Sequence, residues 1–345
     1  MDNLMSIDTT MPVEAADSPI WKQLTKRGRI EVGNGGATHK LYYELYGQGS
    51  EPIVFVNGMG ADRQMWEPNV GEFLRKNTYQ CLVYDHRGTG FSDGGSNGFL
   101  GATSSHLAMD LKQLMEAMGW HKANIVGASM GGMVALEFAC TYSEMVNTLT
   151  LAVTNAGLSF PPLRGIVDTV VVNFNSDPRK RFEGICSSIY TDKYLRSPAP
   201  SGSGCATMLE FCAANAVRRS KYTKPMPFAS FLSQVGTVFR HYVSPARLRA
   251  LGDRLPDKQI LIVTGDSDHL VRTSNSEHLA DRIGRDRVVF EVFEGAAHGL
   301  NSQEHVKFVN RIHEMITRVN GTTGQSEETQ NQEAQQQQEY DGGHT

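Results

Sequence analysis

From residue 50 onward the chain alternates between short apolar runs and longer stretches whose apolar positions recur at helical spacing. Ile53-Val54-Phe55-Val56, Ala123-Asn124-Ile125-Val126, Gln259-Ile260-Leu261-Ile262-Val263-Thr264 and Val288-Val289-Phe290-Glu291-Val292-Phe293 read as strands. Runs with so little polar alternation suit strands covered on both faces, as in a parallel sheet. Leu107, Leu111, Leu114, Met115 and Met118 repeat at helical spacing and predict a core-packing helix from Ser104 onward. Met133-Val134-Ala135-Leu136-Glu137-Phe138-Ala139 predicts another. Nearer the start, Arg29-Ile30-Glu31-Val32 and Lys40-Leu41-Tyr42-Tyr43-Glu44-Leu45-Tyr46 flank the turn Asn34-Gly35-Gly36 and predict an antiparallel pair. Strands alternating with helices define an α/β class. Residues 156–246 interrupt that alternation with helix-like pieces such as Met208-Leu209-Glu210-Phe211-Cys212-Ala213-Ala214 and Phe228-Ala229-Ser230-Phe231-Leu232-Ser233-Gln234-Val235. Residues 1–20 read as a flexible leader. Residues 321–345 include Gln335-Gln336-Gln337-Gln338 and no aliphatic cluster, and they predict a disordered tail.

Composition narrows this picture. A length of 345 residues with 40% hydrophobic content suits one large α/β domain with an insertion. A net charge of −4 gives no support for nucleic-acid binding. The five cysteines (Cys81, Cys140, Cys186, Cys205 and Cys212) are odd in number, match no disulfide framework and read as reduced intracellular thiols. The acidic start Met1-Asp2-Asn3-Leu4-Met5-Ser6-Ile7-Asp8 lacks the apolar region of a signal peptide. No apolar run has the length of a membrane span, and Gly342-Gly343-His344-Thr345 matches no peroxisomal or endoplasmic-reticulum signal. The cytoplasm is therefore the default location. The chain has no HExxH and no cluster with metal-ligand spacing, and Arg87-Gly88-Thr89-Gly90 lacks phosphate-loop spacing. Neither metal nor cofactor is expected.

The most informative pentapeptide is Gly127-Ala128-Ser129-Met130-Gly131, a G-x-S-x-G sequence between a predicted strand and a predicted helix. A glycine-rich turn with an incidental serine is the plain alternative for such a sequence. The flanking strand and helix favour a nucleophile elbow, with the serine hydroxyl exposed at a helix N-terminus. A serine nucleophile needs a base, and the base needs an orienting acid. Gly265-Asp266-Ser267-Asp268-His269 and Glu294-Gly295-Ala296-Ala297-His298-Gly299 each follow a predicted strand, giving the order Ser…Asp…His.

With these segments in place, the chain resembles the α/β-hydrolase superfamily over roughly residues 25–155 and 245–320. Asn57-Gly58-Met59-Gly60 and Tyr84-Asp85-His86-Arg87-Gly88-Thr89-Gly90-Phe91-Ser92 add to the match. The resemblance implies a mostly parallel sheet flanked by helices, with a helical cap inserted after the sixth strand. The implied divisions are core 21–155, cap 156–246 and core 247–320. It also implies Ser129 as nucleophile, His298 as general base and Asp268, three residues after Gly265, as the acid. Asp266 is then left to a turn role. No carboxylate follows Leu151-Ala152-Val153-Thr154-Asn155, so the variant with its acid there is disfavoured. The backbone N–H groups of Met59 and Met130 are the implied oxyanion donors, with methionine side chains lining the reacting carbonyl. Asn57 stands where relatives often carry histidine. His86 is expected to shape its loop and His269 to point elsewhere.

Serine in the elbow excludes relatives that open epoxides or displace halide with aspartate. The expected activity is hydrolysis of a carboxylic ester, lactone or thioester of a small to medium apolar substrate through an acyl-enzyme. Phe160, Leu163, Phe174, Phe211, Phe228, Phe231, Leu232 and Phe239 suggest a mainly apolar cavity under the cap, although most of them are also expected to hold the cap together. An acyltransferase or C–C bond hydrolase would use the same triad. A ligand-binding receptor on this fold is the alternative of another class. Oligomeric state is left open.

Overall fold

The computed structural model describes residues 18–34, 37–94, 98–159, 177–255 and 258–321. Most of the expected leader, nearly all of the Gln-rich tail, Gly35, Gly36, Phe160, Leu163 and Phe174 lie outside these residues.

Eight strands form one sheet in the order β1-β2-β4-β3-β5-β6-β7-β8. They are β1 (Leu24–Asn34), β2 (Ala37–Tyr46), β3 (Glu51–Val56), β4 (Tyr79–Tyr84), β5 (Ala123–Ala128), β6 (Val146–Ala152), β7 (Ile260–Gly265) and β8 (Val288–Phe293). β1 and β2 pair antiparallel, with Ile30 opposite Leu41, and β2 pairs antiparallel with β4. Every other pairing is parallel. The expected mostly parallel sheet flanked by helices is therefore the observed fold.

The apolar runs fill both faces of this sheet because successive strand residues point to opposite sides. Val54, Val56, Ile125, Leu149, Leu151, Ile260 and Ile262 join one buried cluster. Their neighbours Ile53, Phe55, Val126, Ala152, Leu261 and Val263 join the other. Helices α2 (Ser104–Ala117) and α3 (Met130–Thr141) supply Leu107, Leu111, Leu114, Val134 and Phe138 to the first cluster. On the opposite face, α1 (Glu67–Leu74) and the helix over residues 305–321 supply Phe73 and Phe308, which flank Trp66 and Phe55. Each fully buried Leu, Val, Ile or Phe contributes about 1.5–3 kcal/mol. The helix Ser104–Ala117 forms as its periodicity predicts, with Thr103 accepting from His106 N as N-cap.

Chain order reverses beside β3: the chain runs from β3 to β4 on one side, then returns to β5 on the other. A crevice opens at the carboxyl ends of strands at such a reversal. In the segment between β6 and β7, no described residue adds a strand to the sheet. Its described part contains α4 (Pro178–Ile189), α5 (Asp192–Arg196), α6 (Met208–Ser220), α7 (Phe228–Arg240) and α8 (Pro245–Arg254). Its two ends meet where Val243 N donates to Ala156 O at 2.8 Å. Among the described residues, no helix is long and apolar enough to cross a membrane.

Candidate active site

Ser129 sits between β5 and α3 with φ 57° and ψ −123°. A non-glycine residue held there stores about 1–3 kcal/mol of strain and persists only where its surroundings enforce it. Three hydrogen bonds help to do so. Ser129 N donates to Ala152 O at 2.9 Å, Gly132 N donates to Ser129 O at 2.9 Å, and Thr154 Oγ1 donates to Ser129 O at 2.8 Å. Glycine supplies the close approach: a Cβ on Gly131 would strike the carbonyl oxygens of Val56 and Asn57, and one on Gly127 would strike Gly131 O. The strand-to-helix turn therefore packs against the loop after β3.

Two further loops complete a line of polar atoms. His298, after β8, places Nε2 2.9 Å from Ser129 Oγ and Nδ1 2.8 Å from Asp268 Oδ2. A carboxylate only accepts, so Nδ1 carries the proton and Nε2 is left to accept from the serine hydroxyl. Asp268 is fixed in turn: its Oδ1 accepts from Leu270 N at 2.8 Å and Val271 N at 2.9 Å, and its side chain is fully buried. Asp266 stands elsewhere and is exposed; its Oδ1 accepts from Gly295 N at 2.9 Å and ties the two loops together. The structure thus brings Ser129, Asp268 and His298 into one line and leaves Asp266 in a turn.

The loop after β3 flanks the serine. Asn57 Nδ2 donates to Tyr84 O at 2.6 Å, and His86 Nε2 donates to Asn57 O at 3.0 Å. Burial is the main cause that pushes His86 down to about 4, so it stays neutral in this loop-holding role. Gly58 N faces Met65 Sδ at 3.4 Å and Gly60 N donates to Gln234 Oε1 at 2.8 Å. The Met59 and Met130 N–H groups have no acceptor among the described residues. The two methionines expected as lining differ in their surroundings. Met59 is 38% exposed, whereas Met130 is buried in the core cluster.

The inserted segment touches these loops directly. Gly299 N, next to His298, donates to Ile189 O at 2.7 Å, and the Tyr190 ring covers Gly299 so closely that a Cβ would collide with it. Glu67, at the start of α1, receives Arg218 Nη1 at 3.0 Å and Arg219 Nε at 3.2 Å. Burial pushes the Glu67 carboxyl up, but hydrogen bonds from Arg218 and Ser18 and the two arginine charges outweigh it and hold the group below its ordinary value. Beneath lies a buried cluster in which Arg63 pairs with Glu44 at 2.7 Å and Asp85 at 3.2 Å while stacking on Tyr42. Of the aromatics expected to line an apolar cavity, Phe228 and Phe239 are 73% and 61% exposed, so these two enclose nothing. All five cysteines are free, and burial pushes Cys140 and Cys186 up to about 12. Among the described residues, no group of three or more His, Cys, Asp or Glu side chains is placed to hold a metal ion.

Thr154, Gln234 and the Glu67–Arg218 clasp had no motif to mark them. For Gln234 the available signal was the regular spacing of Ser230, Ser233, Gln234 and Thr237 along one helix.

A sheet of this order with a hydrogen-bonded Ser–His–Asp line at the strand ends suggests a class, and sequence comparison agrees. The alpha/beta hydrolase fold model matches residues 51–304, and the chain belongs to that family. Among curated relatives, a candidate carbamate hydrolase, RutD, of Azorhizobium caulinodans is 34% identical over 117 residues, which are 34% of this chain and 42% of that protein. The 3-oxoadipate enol-lactonase 1 of Acinetobacter baylyi is 34% identical over 113 residues, 32% of this chain and 40% of that protein. The chain thus spans about two fifths of the length of these relatives. Among solved structures, the meta-cleavage product hydrolase of Pseudomonas fluorescens IP01 superposes with a TM-score of 0.66 at 19% identity, covering 86% of this chain and 99% of that one. The enol-lactonase of Burkholderia xenovorans LB400 gives 0.62 at 22% identity, covering 81% and 97%. At these identities the likeness is one of fold.

Proposed function

We propose that this chain is a serine hydrolase that cleaves a carboxylic ester, lactone or thioester of a small to medium apolar substrate through an acyl-enzyme. What carries the reading is the continuous line from Ser129 Oγ through His298 to Asp268, with distances of 2.9 and 2.8 Å. Ser129 Oγ attacks the substrate carbonyl while His298 Nε2 takes its proton, and Asp268 stabilises the imidazolium through Nδ1–H. The Met59 and Met130 N–H groups receive the oxyanion. Collapse expels the alcohol, thiol or ring oxygen, which takes the proton from His298. Water activated by the same imidazole then attacks the acyl-enzyme, and the acid is released with Ser129 restored. The segment 156–246 acts as the cap, and its contacts with the β3 and β8 loops favour that role.

Steady-state and burst kinetics on p-nitrophenyl esters of increasing acyl length test the proposal. The expected result is a burst of one p-nitrophenolate per chain, as one acyl group is left on Ser129. Asp268→Asn is expected to lose about 10³–10⁴ in kcat, and Asp266→Asn to stay near wild type. Activity retained in Asp268→Asn but lost in Asp266→Asn would contradict the assignment of the acid.

A further inference from the structure

Helix α7 is amphipathic in the unusual direction. Its buried positions are Ser230, Ser233, Gln234, Gly236 and Thr237, whereas Phe228 and Phe239 are exposed. A helix that turns hydroxyls and an amide inward must satisfy them there, and α7 does so on loops at the carboxyl edge of the sheet. Ala102 N donates to Ser233 Oγ at 2.9 Å, and Thr237 Oγ1 donates to Ala102 O at 2.9 Å. Gln234 reaches furthest. Its Nε2 donates to Thr89 Oγ1 at 3.0 Å and its Oε1 accepts from Gly60 N at 2.8 Å.

Gly60 is the third residue of a turn closed by Ala61 N donating to Gly58 O at 3.4 Å, and its φ is +76°. Positive φ at this position marks a type II turn, whose central peptide is the one that flips in passing to type I. Gln234 holds the N–H of that central peptide. Met59 precedes it; its N–H has no acceptor among the described residues, and the adjoining Gly58 lies against Ser129, where an added Cβ would be 3.6 Å from Ser129 Cβ.

We propose that Gln234 is a positioning residue, latching the Gly58–Ala61 turn so that Met59 N–H is presented to the oxyanion. This rests on the hydrolase reading above. It makes seating of α7 a condition for an assembled oxyanion site, so the inserted segment helps to build the site as well as cover it. An apolar side chain at 234 leaves Gly60 N–H without its partner and frees the turn.

The test compares wild type, Gln234→Met and Gln234→Glu on a p-nitrophenyl ester, with inhibition by a trifluoromethyl ketone measured in parallel. Gln234→Met keeps the shape and removes the acceptor; it is expected to lower kcat and trifluoromethyl ketone affinity together by about 10- to 100-fold, with KM within about twofold. Gln234→Glu keeps an oxygen for Gly60 N–H and is expected to recover most of the loss. Thr89→Val, which removes only the far anchor, is expected to show a smaller loss of the same kind. A folded Gln234→Met enzyme with wild-type kcat, or one changed in KM alone, would overturn the inference and leave the hydrolase reading standing. If Gln234→Met fails to fold, wild-type kinetics in Thr89→Val would overturn it in the same way. Absence of turnover in folded wild type would overturn the hydrolase reading, and the inference with it.

Discussion

Helices α3 and α7 both bear on the candidate site, α3 through its first turn and α7 through Gln234 in mid-helix, yet they are held differently. Every residue of α3 from Met130 to Cys140 is buried, and its contact with the sheet depends on glycines that let backbone meet backbone. Helix α7 buries small polar side chains and leaves Phe228 and Phe239 at its surface. The first helix is fixed by shape; the second adds hydrogen bonds to a close approach of its own, where a Cβ on Gly236 would strike Phe99 O. The difference suits their tasks: α3 fixes the strained Ser129 rigidly, whereas α7 holds neighbouring loops through bonds that form only when it is docked.

Substitutions can break or sharpen that contrast. The largest effect is expected for Gly131→Ala, whose methyl group has only the Val56 and Asn57 carbonyls to meet. Denaturant titration should show a loss of about 3 kcal/mol; a neutral result would mean that α3 is not sterically fixed. Next is the clasp between α1 and α6. Glu67→Gln is expected to lose about 1–3 kcal/mol. The Glu67 carboxyl lies below its ordinary value of 4.5, so its contribution is fully present above that pH and is lost as pH falls through the lower folded value. Melting temperature against pH should therefore fall less steeply in acid for Glu67→Gln than for wild type. The smallest effects test α7 itself. Thr237→Val adds apolar surface but takes one of two donors from Ala102 O, which keeps Arg240 Nη2 at 2.7 Å, and should cost at most about 1 kcal/mol. Phe239→Ser removes exposed apolar surface and should change stability by less than about 0.5 kcal/mol. The reverse order would mean that α7 is held by ordinary apolar packing.

The sequence made the sheet legible because strands buried on both faces need near-continuous apolar runs, and it located Ser129, Asp268 and His298 because each follows such a run. The family resemblance, which implies an acid three residues after Gly265, favoured Asp268 over Asp266, and Asp268 stands beside His298. Helix α7 was legible as a helix but not in its orientation. The spacing of Phe228, Phe231, Leu232 and Val235 suggests an inward apolar stripe, whereas Ser230, Ser233, Gln234 and Thr237 repeat just as regularly on the inward face. Only the partners on the neighbouring loops decide between the two faces, and these lie more than 130 residues away in sequence. The Glu67–Arg218 clasp was hidden for the same reason, because its partners stand 151 residues apart.

The central claim is that Ser129 is an activated nucleophile. Intact-mass spectrometry after exposure to a fluorophosphonate probe tests it most directly, with wild type and Ser129→Ala side by side. One adduct on wild type and none on the variant is the expected result. Folded wild-type protein that takes up no probe, or a variant labelled as fully as wild type, would contradict it.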